Sequence, residues 1–185
     1  MVRRAVEIAI VIVDMPFPAG HSGWQALVRD SAEIMKRTGC HGIKLECSEE
    51  QMPQVARLVD AGIPVMAHLG LRPQQIQNMG KYSIQRERDR LLHHAGMAQG
   101  AGAFSILLEC VEANIAREVS ESLAIPVIGI GSGKYCDGQV LVLHDIIGLA
   151  GYVPKHAKRY ADLATLIRQA CDAYRADVEN GDFPA

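Results

Sequence analysis

Gly42-Ile43-Lys44-Leu45-Glu46 reads as the end of a short buried strand that surfaces into a lysine and a glutamate. Side chains alternate along a strand, so Lys44 and Glu46 face one side while Leu45 faces the other. Opposite charges two residues apart, at the exit of an apolar strand, suit a pocket that binds an acid through a metal. Five further strand-like runs share this ending. Residues 8–13 are β-branched and continuous, as expected of a strand covered on both faces, and Asp14 follows. Residues 64–68 end at His68, 104–109 at Glu109, 126–130 at the turn Gly131-Ser132-Gly133, and 139–144 at His144-Asp145.

Helix-like spacing fills the intervals. Residues 25–37 carry Ala26, Leu27, Ile34 and Met35 at helical spacing until Gly39 stops the run. Residues 50–61, 89–100 and 112–123 read the same way, and 161–179 is amphipathic up to Gly181. The polar stretch 69–88, with a short helix expected over 73–78, is long for a connection, and such loops often carry function. Strands alternating with helices imply a parallel sheet of right-handed βαβ units. Eight barrel units take ~250 residues, roughly 31 each, so six need about 186. The chain has 185. The expected fold is therefore α/β, six of the eight units of a TIM-type (β/α)8 barrel, in a single domain over residues 1–185.

Composition narrows the function classes. With 19 Lys+Arg against 21 Asp+Glu the net charge is -2, which implies no nucleic-acid partner. Five cysteines, odd in number and without a C-x-x-C pair, argue against a disulfide frame or a zinc site and for a reducing compartment. The opening residues look superficially like a signal peptide, but Glu7 interrupts the apolar run and Asp14 closes it. No run approaches the ~20 apolar residues needed to cross a bilayer. A cytoplasmic protein without membrane contact is expected.

In α/β barrels the active site assembles at the C-terminal strand ends. Asp14 and Glu46 offer two carboxylates there, and hard oxygen ligands suit Mg²⁺ better than zinc. Asp14 could equally cap the Asp14-Met15-Pro16-Phe17 turn. Lys44 could hold a substrate carboxylate or pair with Glu46. Glu109 directly follows Ile106-Leu107-Leu108, and a desolvated carboxylate there suits a general base as well as a structural ion pair. His68 could hydrogen-bond a substrate oxygen or be structural. The glycine-rich 129–133 run could approach an anion through backbone N–H groups. His93-His94, adjacent on a helix, read as surface or packing residues.

Several of these stretches resemble one family. Residues 125–133 (Ile-Pro-Val-Ile-Gly-Ile-Gly-Ser-Gly) with Asp137-Gly138-Gln139 and His144-Asp145 are similar to ketopantoate hydroxymethyltransferase. So, in order, are Asp14-Met-Pro-Phe17, Ile43-Lys-Leu-Glu46, His68-Leu-Gly-Leu-Arg-Pro73, Leu107-Leu-Glu-Cys110 and the tail 178–184. The resemblance implies transfer of a one-carbon unit from 5,10-methylenetetrahydrofolate onto 3-methyl-2-oxobutanoate, through a magnesium-stabilised enolate. It implies Asp14 and Glu46 at the metal, Asp14, Lys44 and His68 at the substrate, and Glu109 as proton acceptor. It also implies a homo-oligomer, and two further βα units ahead of residue 8 that bring a Gly-Asp-Ser motif. The 80–86 loop departs from the family's more glycine-rich pattern. Two other readings stay open: a non-catalytic copy or assembly subunit, and a magnesium-dependent carbon–carbon lyase of the phosphoenolpyruvate mutase type.

Overall fold

The protein is described by a computed structural model covering residues 2–80 and 82–184. Met1, and Lys81 of the 80–86 loop, lie outside the described residues. Six parallel strands form one sheet: β1 (Ile12–Asp14), β2 (Gly42–Glu46), β3 (Val65–Gly70), β4 (Ser105–Glu109), β5 (Val127–Ile130) and β6 (Gly138–Gln139). Their order in the sheet is their order in the chain. A doubly wound sheet reverses its strand order at a switch point, whereas a β/α barrel adds each strand beside the last. The barrel-type reading of the alternating pattern therefore holds.

The helices are α1 (Val2–Ala5), α2 (Trp24–Thr38), α3 (Met52–Asp60), α4 (Ile76–Met79), α5 (Arg88–Gly100), α6 (Ala113–Ser122), α7 (Leu143–Ile146) and α8 (Leu163–Asn180). Their ends follow local chemistry. Gly39 takes a left-handed conformation (φ 68°) that returns its N–H to the Met35 carbonyl and closes α2. Ahead of α3, Ser48 and Gln51 form a reciprocal capping box. The Glu112 carboxylate accepts from the Ile115 N–H at 3.3 Å and starts α6.

The core lies between the sheet and these helices. Ile43, Leu45, Ala67, Leu69, Ile106 and Leu108 alternate along β2–β4 and are no more than 3% exposed. They pack with Leu27, Val55, Leu58, Ala95 and Val119 of the helices. Each large aliphatic side chain so buried contributes about 1.5–3 kcal/mol. One whole face of the sheet is thus committed to stability, which leaves the other free for chemistry.

The chain divides into two compact units, Met1–Gln139 and Val140–Ala185. The sheet and α1–α6 belong to the first. In the second, the Ile146 carbonyl accepts from Tyr160 N–H at 2.8 Å, and Tyr174 meets Phe183 edge-on with centroids 5.5 Å apart.

Two expected strands are corrected. Only Ile12–Asp14 of the first run is paired, while Ile8 and Ile10 are 98% and 69% exposed. β1 bonds to a single neighbour, so β-branched composition alone does not bury the run. The sixth strand is confined to Gly138–Gln139, and 143–146 is a helical turn. Only seven residues separate β5 from β6, fewer than the dozen or more of a helical crossover, and β6 pairs for two residues only. His144 and Asp145 therefore sit on α7, not at a strand end.

Candidate active site

Strand register decides which side chains share a face. Asp14 pairs with Lys44, Glu46 with His68, and Gly70 with Glu109, while His68 pairs with Leu107, two residues before Glu109. Residues paired across parallel strands project to the same side, as do residues two apart. Asp14, Lys44, Glu46, His68 and Glu109 therefore project together from the face opposite the helix-covered core. Asp14, Glu46 and Glu109 are the last residues of β1, β2 and β4.

Four of the five are joined by short contacts. Lys44 Nζ lies 2.8 Å from Asp14 Oδ2 and 3.1 Å from His68 Nδ1. His68 Nε2 lies 3.2 Å from Glu109 Oε2. Lysine can only donate, so the Nδ1 facing it must accept. That places the imidazole proton on Nε2, the nitrogen facing Glu109. The contact to Glu109 lies off the line of the ring N–H, which leaves Nε2 a buried nitrogen without an aligned acceptor. His68 is fully buried, and the Glu109 side chain is 16% exposed. Lys44 pairs with Asp14 and not with Glu46.

Glu46 stands apart in its environment. Its Oε1 accepts from the Gln74 N–H at 3.1 Å, and its Oε2 is buried without a partner. Burial pushes its carboxyl above the ordinary glutamate value, opposed by the Gln74 hydrogen bond and by His68 and Lys44. A buried carboxylate oxygen with no donor is an acceptor a cation would satisfy. Among the described residues no three His, Cys, Asp or Glu converge on a ready-made metal cage. Mg²⁺ seldom has one, since it binds through one or two carboxylates and fills its octahedron with water and substrate oxygens. Asp14 and Glu46 are two carboxylates on one face of neighbouring strands; Asp14 already holds the Lys44 ammonium, and the Glu46 Oε2 is the acceptor left open.

The backbone around Glu109 is shaped by three features that pattern reading did not find. Gly70 (φ 89°) lets β3 end directly against β4, with the Leu71 N–H bonded to the Glu109 carbonyl at 2.8 Å. Cys110 takes a positive φ of 51°, uncommon for any residue but glycine, and costs about 1–2 kcal/mol. Its N–H and carbonyl are held by Ile130 O and Gln85 N at 2.9 and 2.7 Å. Strained backbone beside a candidate base is where such strain tends to be stored. Ser132, fully buried, donates to the Leu108 carbonyl at 2.9 Å and accepts from the Val111 N–H at 3.0 Å. The serine of the glycine-rich turn thus ties down the two ends of the Glu109 segment. Asp137 is structural as well, accepting from Val127 N–H and Ser120 Oγ at 2.8 and 3.2 Å.

Gln74 was also missed. Besides binding Glu46, it donates through Nε2 to the Met15 carbonyl at 2.8 Å, pinning the loop after β3 across the ends of β1 and β2. The only signal for it was the Pro73 turn that follows the third strand. His93 and His94 rings are 6.1 Å apart, and His94 approaches Glu49 at 3.9 Å.

Comparison with known proteins shows the family of the chain. The model of the family described as ketopantoate hydroxymethyltransferase matches residues 1–185. A 3-methyl-2-oxobutanoate hydroxymethyltransferase of Rhodopirellula baltica is 46% identical over 186 residues, spanning all of this chain and 69% of its own length. That of Pyrobaculum islandicum is 46% identical over 188 residues, covering all of this chain and 72% of its own. That of Nitratidesulfovibrio vulgaris strain DP4 is 46% identical, with 62% of its length covered. Among solved structures, a candidate phosphonomutase from Burkholderia cenocepacia J2315 superposes with a TM-score of 0.53 at 17% identity, over 96% of this chain and 71% of that one. An uncharacterized conserved protein from Geobacillus kaustophilus gives 0.52 at 14% identity, over 86% and 74%. These two share the fold. With its full length matched and relatives near half identical, this chain belongs to the ketopantoate hydroxymethyltransferase family of enzymes.

Proposed function

We propose that the chain forms 2-dehydropantoate by moving a hydroxymethyl group from 5,10-methylenetetrahydrofolate to 3-methyl-2-oxobutanoate, with Mg²⁺ at Asp14 and Glu46. One observation carries the reading: Asp14, Lys44, His68 and Glu109 form an unbroken line of contacts at 2.8, 3.1 and 3.2 Å, with Glu46 on the same rim. The names of the relatives support the substrate and product.

Each residue has a distinct part. Glu109 takes the proton from C3 of the oxo acid, and the electron pair left behind spreads onto the oxo oxygen. The freed carbon then attacks the one-carbon unit, whose bonds to the two folate nitrogens break; water supplies the hydroxyl group, and the C3 proton and the remaining proton of that water end on those nitrogens. Lys44 offers a cation for the substrate carboxylate. His68 offers an Nε2–H to a substrate oxygen, and Lys44 at Nδ1 keeps that proton on the right nitrogen. Asp14 and Glu46 would hold Mg²⁺, which when bound acts as a Lewis acid and lowers the cost of charge developing beside the ketone. Holding acid and base on neighbouring strand ends saves the entropy of bringing them together.

The test is solvent deuterium exchange at C3 of 3-methyl-2-oxobutanoate, followed by proton NMR, which needs no folate. The chain is expected to exchange this proton with Mg²⁺ present. Glu109→Gln is expected to slow exchange by about 10²–10⁴, the usual worth of a general base. Equal rates in the two proteins, or no exchange in the parent, overturn the reading.

A further inference from the structure

Beside the acidic rim is a cavity of about 520 Å³ that the chemistry above does not use. Its lining includes Cys47 and Gly70 at the ends of β2 and β3, Leu91 and His94 of α5, Arg72 and Arg90. Arg72 is half-buried there and makes no ion pair or hydrogen bond among the described residues. Burial lowers its tendency to stay charged, and Arg90 nearby adds to that. Burial first and Arg90 second hold the His94 imidazole below its ordinary value, with Arg72 the smallest contributor. Among the described residues Arg90 has only an outward partner, Glu87 at 3.4 Å.

Two acids share the lining but stand at its mouth. Glu49 has a side chain 62% exposed and faces His94 at 3.9 Å. Glu50 is exposed and hydrogen-bonded to the Ser48 hydroxyl. Neither neutralises Arg72 at contact distance. The Cys47 thiol, pushed up to about 12 by burial, stays neutral. The Arg72 nitrogens are not among the buried polar atoms left without a partner, so water reaches them and an anion could take that water's place. The planar guanidinium fork matches a carboxylate or phosphate through two parallel hydrogen bonds.

We infer that this cavity is an anion subsite built on Arg72, and that it takes the carboxylate-bearing tail of the one-carbon donor. The occupant rests on the proposed reaction; the anion site does not. Arg72 lies two residues beyond the end of β3, and its charge reaches Glu46. A ligand anchored there would present its other end to the rim that carries Glu46 and Glu109.

Calorimetric titration of the chain with three probes tests this. p-Aminobenzoyl-glutamate, the acidic half of a folate, is expected to bind saturably, and p-aminobenzamide, which lacks the tail, is not. Arg72→Gln should weaken the first by about tenfold or more, the worth of a charge-assisted pair. Arg72→Lys, which keeps the charge but loses the fork, should fall between. Arg29→Gln removes an equal charge from the exposed face of α2 and should stay within about twofold. No binding, or equal binding by parent and Arg72→Gln, overturns the inference. Inorganic phosphate binding without p-aminobenzoyl-glutamate binding overturns the occupant and leaves an adventitious ion only. Exchange at C3 with an unaltered affinity in Arg72→Gln spares the reaction and sinks the subsite; tail binding without exchange does the reverse.

Discussion

Replacing Gly70 by alanine should damage the protein more than almost any other single methyl. A Cβ at this position would collide with the Glu109 carbonyl and lie 2.8 Å from Val111 Cγ2. The residue also sits at φ 89°, where an L side chain is strained. The strain costs about 1–2 kcal/mol. Relieving the clash means parting the ends of β3 and β4, which breaks the buried Leu71–Glu109 hydrogen bond for another 1–3 kcal/mol or so. The sum is roughly 2–5 kcal/mol, a large share of the 5–15 typical of a domain. At about 2–4 °C per kcal/mol for a chain this size, the melting temperature should drop by roughly 4–20 °C. Gly96→Ala is the matched control. Gly96 is exposed inside α5 with nothing within 4 Å of its would-be Cβ, so alanine there should stabilise by about 1 kcal/mol. Urea denaturation of both variants measures the difference. A Gly70→Ala loss below about 1 kcal/mol would show that the two strand ends do not need the contact described.

Other expectations follow from burial. Cys47 is buried with its thiol pushed up to about 12, whereas Cys171 is exposed, so brief iodoacetamide treatment at pH 8 should label Cys171 and spare Cys47; peptide mass spectrometry reads the outcome. His94 has a folded value below its unfolded 6.5, through burial first and Arg90 second, against Glu49. Its contribution to stability is therefore complete above pH 6.5 and lost as pH falls through the lower folded value. Denaturation midpoints from pH 7 to pH 5 should fall less steeply in His94→Gln than in the parent.

The sequence was most legible where one rule governed. Alternation of apolar strands with helical runs returned the parallel order, and β2, β4 and β5 lie within a residue of expectation. It also put Glu46 and Glu109 at strand ends, since polarity appears where a buried strand leaves the core; the third strand, expected to end at His68, runs on to Gly70 and leaves His68 buried within it. It misjudged residues 8–11 and 140–144, where β-branched composition suggests a strand but a ladder partner decides one. It could not see the Lys44–His68 contact, which depends on a register between strands and joins residues 24 apart in the chain. Arg72 and Gln74 were hidden for a similar reason: a loop residue reveals its role only once the chain folds back onto other strand ends. Cys110 carried no signal, because its left-handed turn is imposed by Ile130 and Gln85 and not by its own chemistry.

The turn at 131–133 has a wider implication. Its serine hydroxyl is consumed in stitching Val111 to Leu108, and the nearby Asp137 in fastening Val127. The most recognisable block of the chain is thus masonry, while the groups proposed to react are single letters scattered among unremarkable strands. A descendant that swapped Glu109 or Asp14 for inert residues would still need every stone of that block to stand. Fluency in the motif therefore certifies architecture, and turnover has to be read from the scattered letters.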